Sequence, residues 1–163
     1  MTGYSVSAWI TFLRKYGPIP SNDNMYDEHI QSSVRRNGVT PLRFETGNLF
    51  SEVHANLAGA DPVSVVLTGT AGDGKTFLCR ELWLALGGAS RDWESDEKFR
   101  SLALPSGRRL HVIKDLSELS AEEAHRLAPM AEAVLSPESE GVFLVAANDG
   151  QLLQAWDRIP TSP

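Results

Sequence analysis

Hydrophobic residues follow a helical period over most of the first sixty or so positions of the chain. An apolar stripe in SAWITFLRKYG and a second one that ends near Val34 predict two helices, which the break GPIPSNDN separates. The stretch TGNLFSEVHANLAG predicts a third helix, whose inward-facing residues are Leu49, Phe50, Val53 and Leu57. Residues 1–38 are therefore predicted to form an N-terminal helical segment that precedes the first strand.

The pattern changes at residues 63–67, where a short β-branched apolar run predicts a strand buried on both faces. From Gly74 onward the apolar residues return to helical spacing, and Gly87-Gly88 predicts a left-handed stop for this helix. The polar stretch of residues 89–97 is predicted to be exposed.

Two apolar runs follow, residues 99–104 and 110–114, and a short link that contains Pro105-Ser106-Gly107 joins them. Because a crossover between parallel strands needs about a dozen residues, this short link predicts an antiparallel hairpin. A helix over SELSAEEAHRLAPMAEAVL, a buried strand over residues 142–147 and a helix in QLLQAWDRI complete the pattern. Residues 39–163 are thus predicted to form an α/β domain with a mostly parallel sheet.

The composition narrows the classes of function. The chain has 163 residues, of which 42% are hydrophobic and 22% charged, as expected of a soluble globular fold. Its net charge of −6 argues against general binding to nucleic acid or to anionic membranes. No apolar run reaches the roughly 20 residues of a spanning helix and the N-terminus lacks a signal-peptide pattern, so a cytoplasmic location is expected. The single cysteine, Cys79, is predicted to pack in the core, and the four histidines show no metal-ligand spacing.

The most informative stretch is GTAGDGKT, which fits the pattern G-x-x-x-x-G-K-[ST] between the predicted strand and helix. Glycine leaves backbone N–H groups accessible to phosphate oxygens, and the start of the helix adds further donors and the positive end of its dipole. An ordinary glycine-rich turn is the alternative, but the flanking strand and helix favour phosphate binding. The predicted nucleotide contacts are Gly69, Thr70, Ala71, Gly72, Asp73, Gly74, Lys75, Thr76 and Phe77.

Two more polar positions follow predicted strands. Asp115 ends the run LHVIKD, and Asn148 follows VFLVAA. Ligands of open α/β folds bind at the carboxyl ends of the strands, so Asp115 is a candidate to hold Mg²⁺ together with Thr76. A simple turn residue is the alternative interpretation of Asp115.

Together, GTAGDGKT, LHVIKD and VFLVAAND resemble the Walker A, Walker B and sensor 1 elements of AAA+ and related ASCE-type P-loop ATPases, over roughly residues 39–157. The resemblance implies a three-layer P-loop sandwich that binds ATP and Mg²⁺. It further implies that Lys75 is the Walker A lysine, that Asp115 is the Walker B aspartate, and that Asn148 positions the attacking water. TGTAGDGKTFLCREL with IKDLSEL also resembles the ATPase component of bacterial phosphorothioation-dependent DNA restriction systems, which act in phage defence.

The sequence departs from this family at the catalytic glutamate. Leu116 stands where that glutamate follows the Walker B aspartate in the family. Glu118 is the nearest carboxylate and is the candidate for the catalytic role; a capping or surface role is its alternative. No guanine-reading motif occurs, so ATP is favoured over GTP. The family's closing strand, arginine finger and helical lid would follow Pro163, so the chain is expected to be part of a longer protein. Alone it is expected to bind nucleotide weakly with negligible turnover, since no motif assigns Arg108, Arg109 or Arg158 as the finger.

The adenine is predicted to lie against NGVTPLRF, where Gly38 and Val39 would supply backbone hydrogen bonds; docking of the N-terminal helices is the alternative role. The leading hypothesis for function is an ATP-hydrolysing motor or switch module with protein partners or identical subunits. DNA would be contacted only by the full assembly. A nucleotide-binding signalling module with little turnover and a small-molecule kinase are the alternatives.

Overall fold

The computed structural model describes residues 10, 34–36, 38, 47–95, 97–116, 119, 127–136, 139 and 141–157. The chain divides into two compact units, Met1–Glu45 and Thr46–Pro163. In the first unit, Ile10 and residues 34–36 are helical, and Gly38 turns the chain at φ 61° with its N–H donating to the Arg35 carbonyl. The other predicted N-terminal helical residues lie outside the described ones. Among the described residues, no helix has the length and apolar character needed to cross a membrane.

The second unit alternates helices and strands. In chain order its elements are α1 (Gly47–Ala58), β1 (Val65–Leu67), α2 (Lys75–Ala85), α3 (Ser90–Trp93), β2 (Phe99–Ala103), β3 (Arg109–Ile113), α4 (Leu127–Leu135), β4 (Gly141–Ala146) and α5 (Asp149–Asp157). This confirms the α/β class and each strand that the hydrophobic pattern predicts.

The strands form one four-stranded sheet in the order β1-β4-β3-β2. β1, β4 and β3 are parallel, with Leu67 opposite Ala146 and Ile113 opposite Val145. β2 is antiparallel to β3, which confirms the predicted hairpin, and Gly107 turns the link at φ 87°. Because three parallel strands end at the same edge, the segments after β1, β3 and β4 meet there.

β4 is the strand buried on both faces, with every residue after Gly141 buried. The prediction assigned this character to residues 63–67, but Val65 and Val66 are half-buried and Val63 is 50% exposed. The reason is position in the sheet: among the described residues, β1 pairs only with β4, whereas β4 has β1 and β3 on its two sides.

Alternate residues of the strands feed two hydrophobic clusters, one on each face of the sheet. On one face Val112 and Leu144 pack with α1 and α2. On the other, Ile113, Phe143 and Val145 pack with α4. The sheet is therefore an inner layer with helices on both sides, which is the coarse architecture expected from the sequence.

Two predictions about burial are wrong. Leu49 is 53% exposed because it lies at the flank of the α1 stripe, away from the line that Phe50, Val53 and Leu57 form at helical spacing. In the polar stretch of residues 89–97, Trp93 is only 1% exposed. The indole of Trp93 packs against Trp83 with ring centroids 6.3 Å apart, and so joins the cluster under α2.

Candidate phosphate-binding site

The glycine-rich loop leaves the sheet after Leu67 and ends where α2 begins at Lys75. Its three glycines take backbone angles that favour glycine, with φ 150° at Gly69, 91° at Gly72 and 80° at Gly74. Residues 70–74 are exposed. The strand, loop and helix predicted from the spacing therefore occur in the required order, and the loop faces solvent.

The side chains of Asp73 and Lys75 hydrogen-bond to Thr70 and so stabilise the loop. The Asp73 carboxylate accepts the Thr70 N–H at 2.6 Å through Oδ2 and the Thr70 hydroxyl at 3.0 Å through Oδ1. The Lys75 ammonium donates to the Thr70 carbonyl at 2.6 Å. The lysine side chain thus extends along the loop, where a bound phosphate would meet its charge.

The start of α2 places further backbone N–H groups next to the loop. Gly74 is the N-cap residue, with the left-handed angles φ 80° and ψ 18°, and its carbonyl accepts the Leu78 N–H at 2.9 Å. The first turn of a helix directs N–H groups toward the preceding loop. In α2 that turn contains Lys75, Thr76 and Phe77, which are among the predicted nucleotide contacts.

The decisive contact joins this helix to the end of β3. The Thr76 hydroxyl lies 3.5 Å from the carbonyl oxygen of Lys114, the residue directly before Asp115. A hydroxyl that donates its proton to a backbone carbonyl keeps its lone pairs for another partner. Thr76 and Asp115 therefore lie at one edge of the sheet. A hydroxyl and a carboxylate are oxygen groups of the kind that Mg²⁺ prefers.

Asn148 follows β4, the strand that lies between β1 and β3, and is half-buried. Its carbonyl accepts the N–H groups of Gln151 and Leu152, both at 3.0 Å, so that it begins α5. The strand order places Asn148 between the glycine-rich loop and Asp115 along the carboxyl edge. Its predicted role toward an attacking water stays a prediction.

Glu118 lies outside the described residues, so its assignment also stays a prediction. Its neighbour Leu116, which occupies the family position of the catalytic glutamate, is buried in the cluster beneath α4. The Leu119 N–H donates to the Leu116 carbonyl at 3.3 Å, so the chain turns directly after Asp115. The Leu116 side chain, directly after Asp115, therefore packs in the hydrophobic core.

Two buried cations support the site, and the sequence pattern did not reveal either of them. The Lys114 ammonium donates to the Trp93 carbonyl at 2.5 Å and lies 5.0 Å from the centroid of the Trp93 ring. The Arg100 guanidinium, on β2, donates to carbonyls of the segment formed by the end of α3 and the residues after it, and lies 5.6 Å from the same ring. Lys114 thus connects this segment to the backbone that contacts Thr76. The signal for this buried cluster in the sequence was Trp93, a tryptophan within the otherwise polar stretch of residues 89–97.

The arginines considered for charge stabilisation lie elsewhere. Arg109 begins β3 and Arg108 precedes it, so both lie at the edge of the sheet opposite to the loop. Arg108 donates to the carbonyls of Pro62, at 2.6 Å, and of Ser139, and thereby joins the segments that precede β1 and β4. Arg158 lies outside the described residues. Arg108 and Arg109 therefore do not lie beside the glycine-rich loop of their own chain.

The predicted adenine contacts, Gly38 and Val39, stay a prediction. Val39 lies outside the described residues. Gly38 belongs to the first compact unit, and its N–H is already bonded to the Arg35 carbonyl at 3.1 Å. A hydrogen bond from this N–H to adenine would require that bond to break.

Cys79 is fully buried on α2, in agreement with the predicted core role. Burial raises the pKa of the Cys79 thiol from 9.0 to about 12, because the thiolate would lose its hydration. The folded state therefore retains the proton, and its stability falls as the pH rises from 9.0 toward 12.

We expect Cys79 in the folded protein to resist alkylation by iodoacetamide at pH 8, because the thiol is inaccessible and protonated. In denaturant the same thiol should react completely within minutes to hours. Mass spectrometry of both samples measures the difference. Rapid labelling of the native protein would contradict the burial of α2.

The described residues contain no group of three or more histidine, cysteine or carboxylate side chains arranged to hold a metal. His111, on β3, stacks on Phe143 with ring centroids 5.0 Å apart. Burial, followed by the charge of Arg109, lowers the pKa of His111. No protein-family model, curated protein or solved structure matches this chain.

Proposed function

We propose that this chain binds ATP with Mg²⁺ through residues 69–77 and is an ATP-hydrolysing switch or motor module of a larger protein or complex. The observation that carries the proposal is the contact between the Thr76 hydroxyl and the Lys114 carbonyl at 3.5 Å. It brings the end of the glycine-rich loop to Asp115, across nearly forty residues of chain. A loop that served only as a turn would not need this juxtaposition.

The residues present suit a triphosphate. The exposed loop and the first turn of α2 offer backbone N–H groups, and Lys75 supplies a positive charge beside them. Thr76 and Asp115 would hold Mg²⁺, directly or through water, and the ion would neutralise charge on the phosphates. Since phosphoryl transfer depends mainly on positioning and charge stabilisation, Lys75 and Asn148 would orient the reacting groups.

A second candidate function is a nucleotide-binding signalling module with little turnover. The burial of Leu116 favours it, since the position after Asp115 then supplies no carboxylate to activate water. The two candidates share the same nucleotide site and differ only in the rate of hydrolysis.

The test of the site is Lys75→Ala. We expect this change to weaken Mg·ATP binding about tenfold or more, because it removes the charge at the loop that opposes the phosphates. Isothermal titration calorimetry of the wild type and the variant measures the affinity.

Arg91→Ala is a matched control, because it also removes one positive charge but from a side chain that is 89% exposed on α3. Its affinity should equal that of the wild type. Equal affinity of Lys75→Ala and the wild type would overturn the proposed site. Steady-state phosphate release by the longest available form of the protein then separates the ATPase from the signalling module.

A further inference from the structure

The glycine-rich loop contains an acidic side chain, Asp73, whose negative charge the proposed site does not use. Asp73 bonds the Thr70 peptide N–H and the Thr70 hydroxyl with its two carboxylate oxygens. Gly69 accommodates this contact, because a Cβ atom at that position would lie 2.5 Å from Asp73 Oδ2. The loop conformation and the acidic side chain therefore depend on each other.

The two bonds stabilise the loop by a local cross-link. Residues 70 and 73 lie at the two sides of the exposed turn, and the Asp73 N–H adds a weaker bond to the Thr70 carbonyl at 3.4 Å. The same carbonyl accepts the Lys75 ammonium. Without the carboxylate, Thr70 would lose both bonds that its N–H and hydroxyl make, and an exposed glycine-rich turn would sample more conformations.

The two bonds to Thr70 favour the loop conformation that would bind phosphate, whereas the negative charge of Asp73 opposes phosphate binding. A triphosphate bound along residues 69–77 would place several negative charges within a few ångströms of this carboxylate, and like charges at such distances repel. The repulsion increases with the number of phosphates. The contribution of the carboxylate to loop geometry and the contribution of its charge can therefore be separated by a neutral side chain of the same shape.

We propose that Asp73 sets the nucleotide affinity of this site: its oxygens position the loop, and its charge weakens the binding of a triphosphate more than that of a diphosphate. The inference rests on the proposed function. Such a residue favours exchange of nucleotide over retention, as suits a switch or motor.

The test compares Asp73→Asn with Asp73→Ala. Asparagine keeps an acceptor for the Thr70 N–H and can donate to the Thr70 hydroxyl, but it carries no charge. We expect Asp73→Asn to bind ATP about three- to tenfold more tightly than the wild type, with a smaller gain for ADP. Asp73→Ala should bind ATP more weakly than Asp73→Asn, because it loses both bonds to Thr70.

Calorimetry with ATP and ADP at about 0.05 M and about 0.5 M salt provides the readout. The gain in Asp73→Asn should shrink at high salt, as a charge effect does and a purely structural effect does not. Asp61→Asn is the matched control, since the Asp61 side chain is 87% exposed at the opposite edge of the sheet and the change in charge is the same. It should leave both affinities unchanged.

The inference is overturned if Asp73→Asn binds ATP no more tightly than the wild type, or if Asp73→Ala matches Asp73→Asn. Lys75→Ala distinguishes this failure from failure of the proposed function. If Lys75→Ala weakens ATP binding while Asp73→Asn leaves it unchanged, only the role of Asp73 is wrong. If no variant and no wild-type sample binds ATP, both proposals are wrong.

Discussion

Replacement of Arg100 by alanine is expected to lower the free energy of unfolding by about 3–5 kcal/mol, the range for leaving buried partners of a charged group unpaired. Arg100 is 5% exposed, and its guanidinium donates to four backbone carbonyls, two at the end of α3 and two in the segment that follows it. These carbonyls belong to Asp92, Trp93, Ser95 and Glu97. Alanine would leave them without this donor and would also remove the cation–π contact with Trp93.

Urea denaturation followed by tryptophan fluorescence measures this change, because Trp83 and Trp93 both lie in the affected cluster. Arg91→Ala is the control, since the Arg91 side chain is 89% exposed and its contact with Asp92 is an exposed ion pair. Such pairs contribute little, so the control should stay within about 0.5 kcal/mol of the wild type. A loss below about 1 kcal/mol in Arg100→Ala would show that the carbonyls find other donors.

In the longest available form of the protein, replacement of Asp115 by asparagine is expected to reduce ATP turnover by about 10²–10³-fold, since metal charge stabilisation contributes several kcal/mol to such reactions. The expectation rests on the proposed function and on the position of Asp115 beside Thr76. Asparagine keeps the size of the side chain but removes the negative charge that favours Mg²⁺. The end of β3 should therefore keep its fold while the affinity for the metal falls.

A binding measurement checks the same assignment without turnover. Mg²⁺ should tighten ATP binding in the wild type, and this gain should fall about tenfold or more in Asp115→Asn, whereas binding in EDTA should stay the same. Asp61→Asn, at the opposite edge, should retain the full effect of Mg²⁺. An unchanged magnesium effect in Asp115→Asn would assign the metal to another group.

Much of the fold could be predicted because it depends on local chemistry. The three loop glycines have φ angles that favour glycine, and the Gly87-Gly88 pair ends α2 with N–H bonds to the carbonyls of Leu84 and Trp83. A five-residue link cannot carry a crossover, so the β2–β3 hairpin follows from its length alone. These features depend on neighbours in sequence, and the pattern of residues therefore predicts them.

Burial was less predictable, because it depends on which elements become neighbours. The apolar runs that form β1 and β4 look alike in sequence, but only β4 has a strand on each side among the described residues. Trp93 is buried because Arg100 and Lys114 come from β2 and the end of β3 to pack on its ring. These contacts join residues of different elements, so the hydrophobic period along the chain does not predict them.

The candidate site divides in the same way. The sequence alone determined the loop of residues 69–76 and its position between a strand and a helix, because glycine, lysine and threonine at that spacing are a local chemical requirement. Only the tertiary structure decided that Thr76 lies beside the end of β3, that Asn148 lies between the loop and Asp115, and that Arg108 lies at the far edge. Strand order decides those distances, and it results from burying both faces of the sheet, a property of the whole domain.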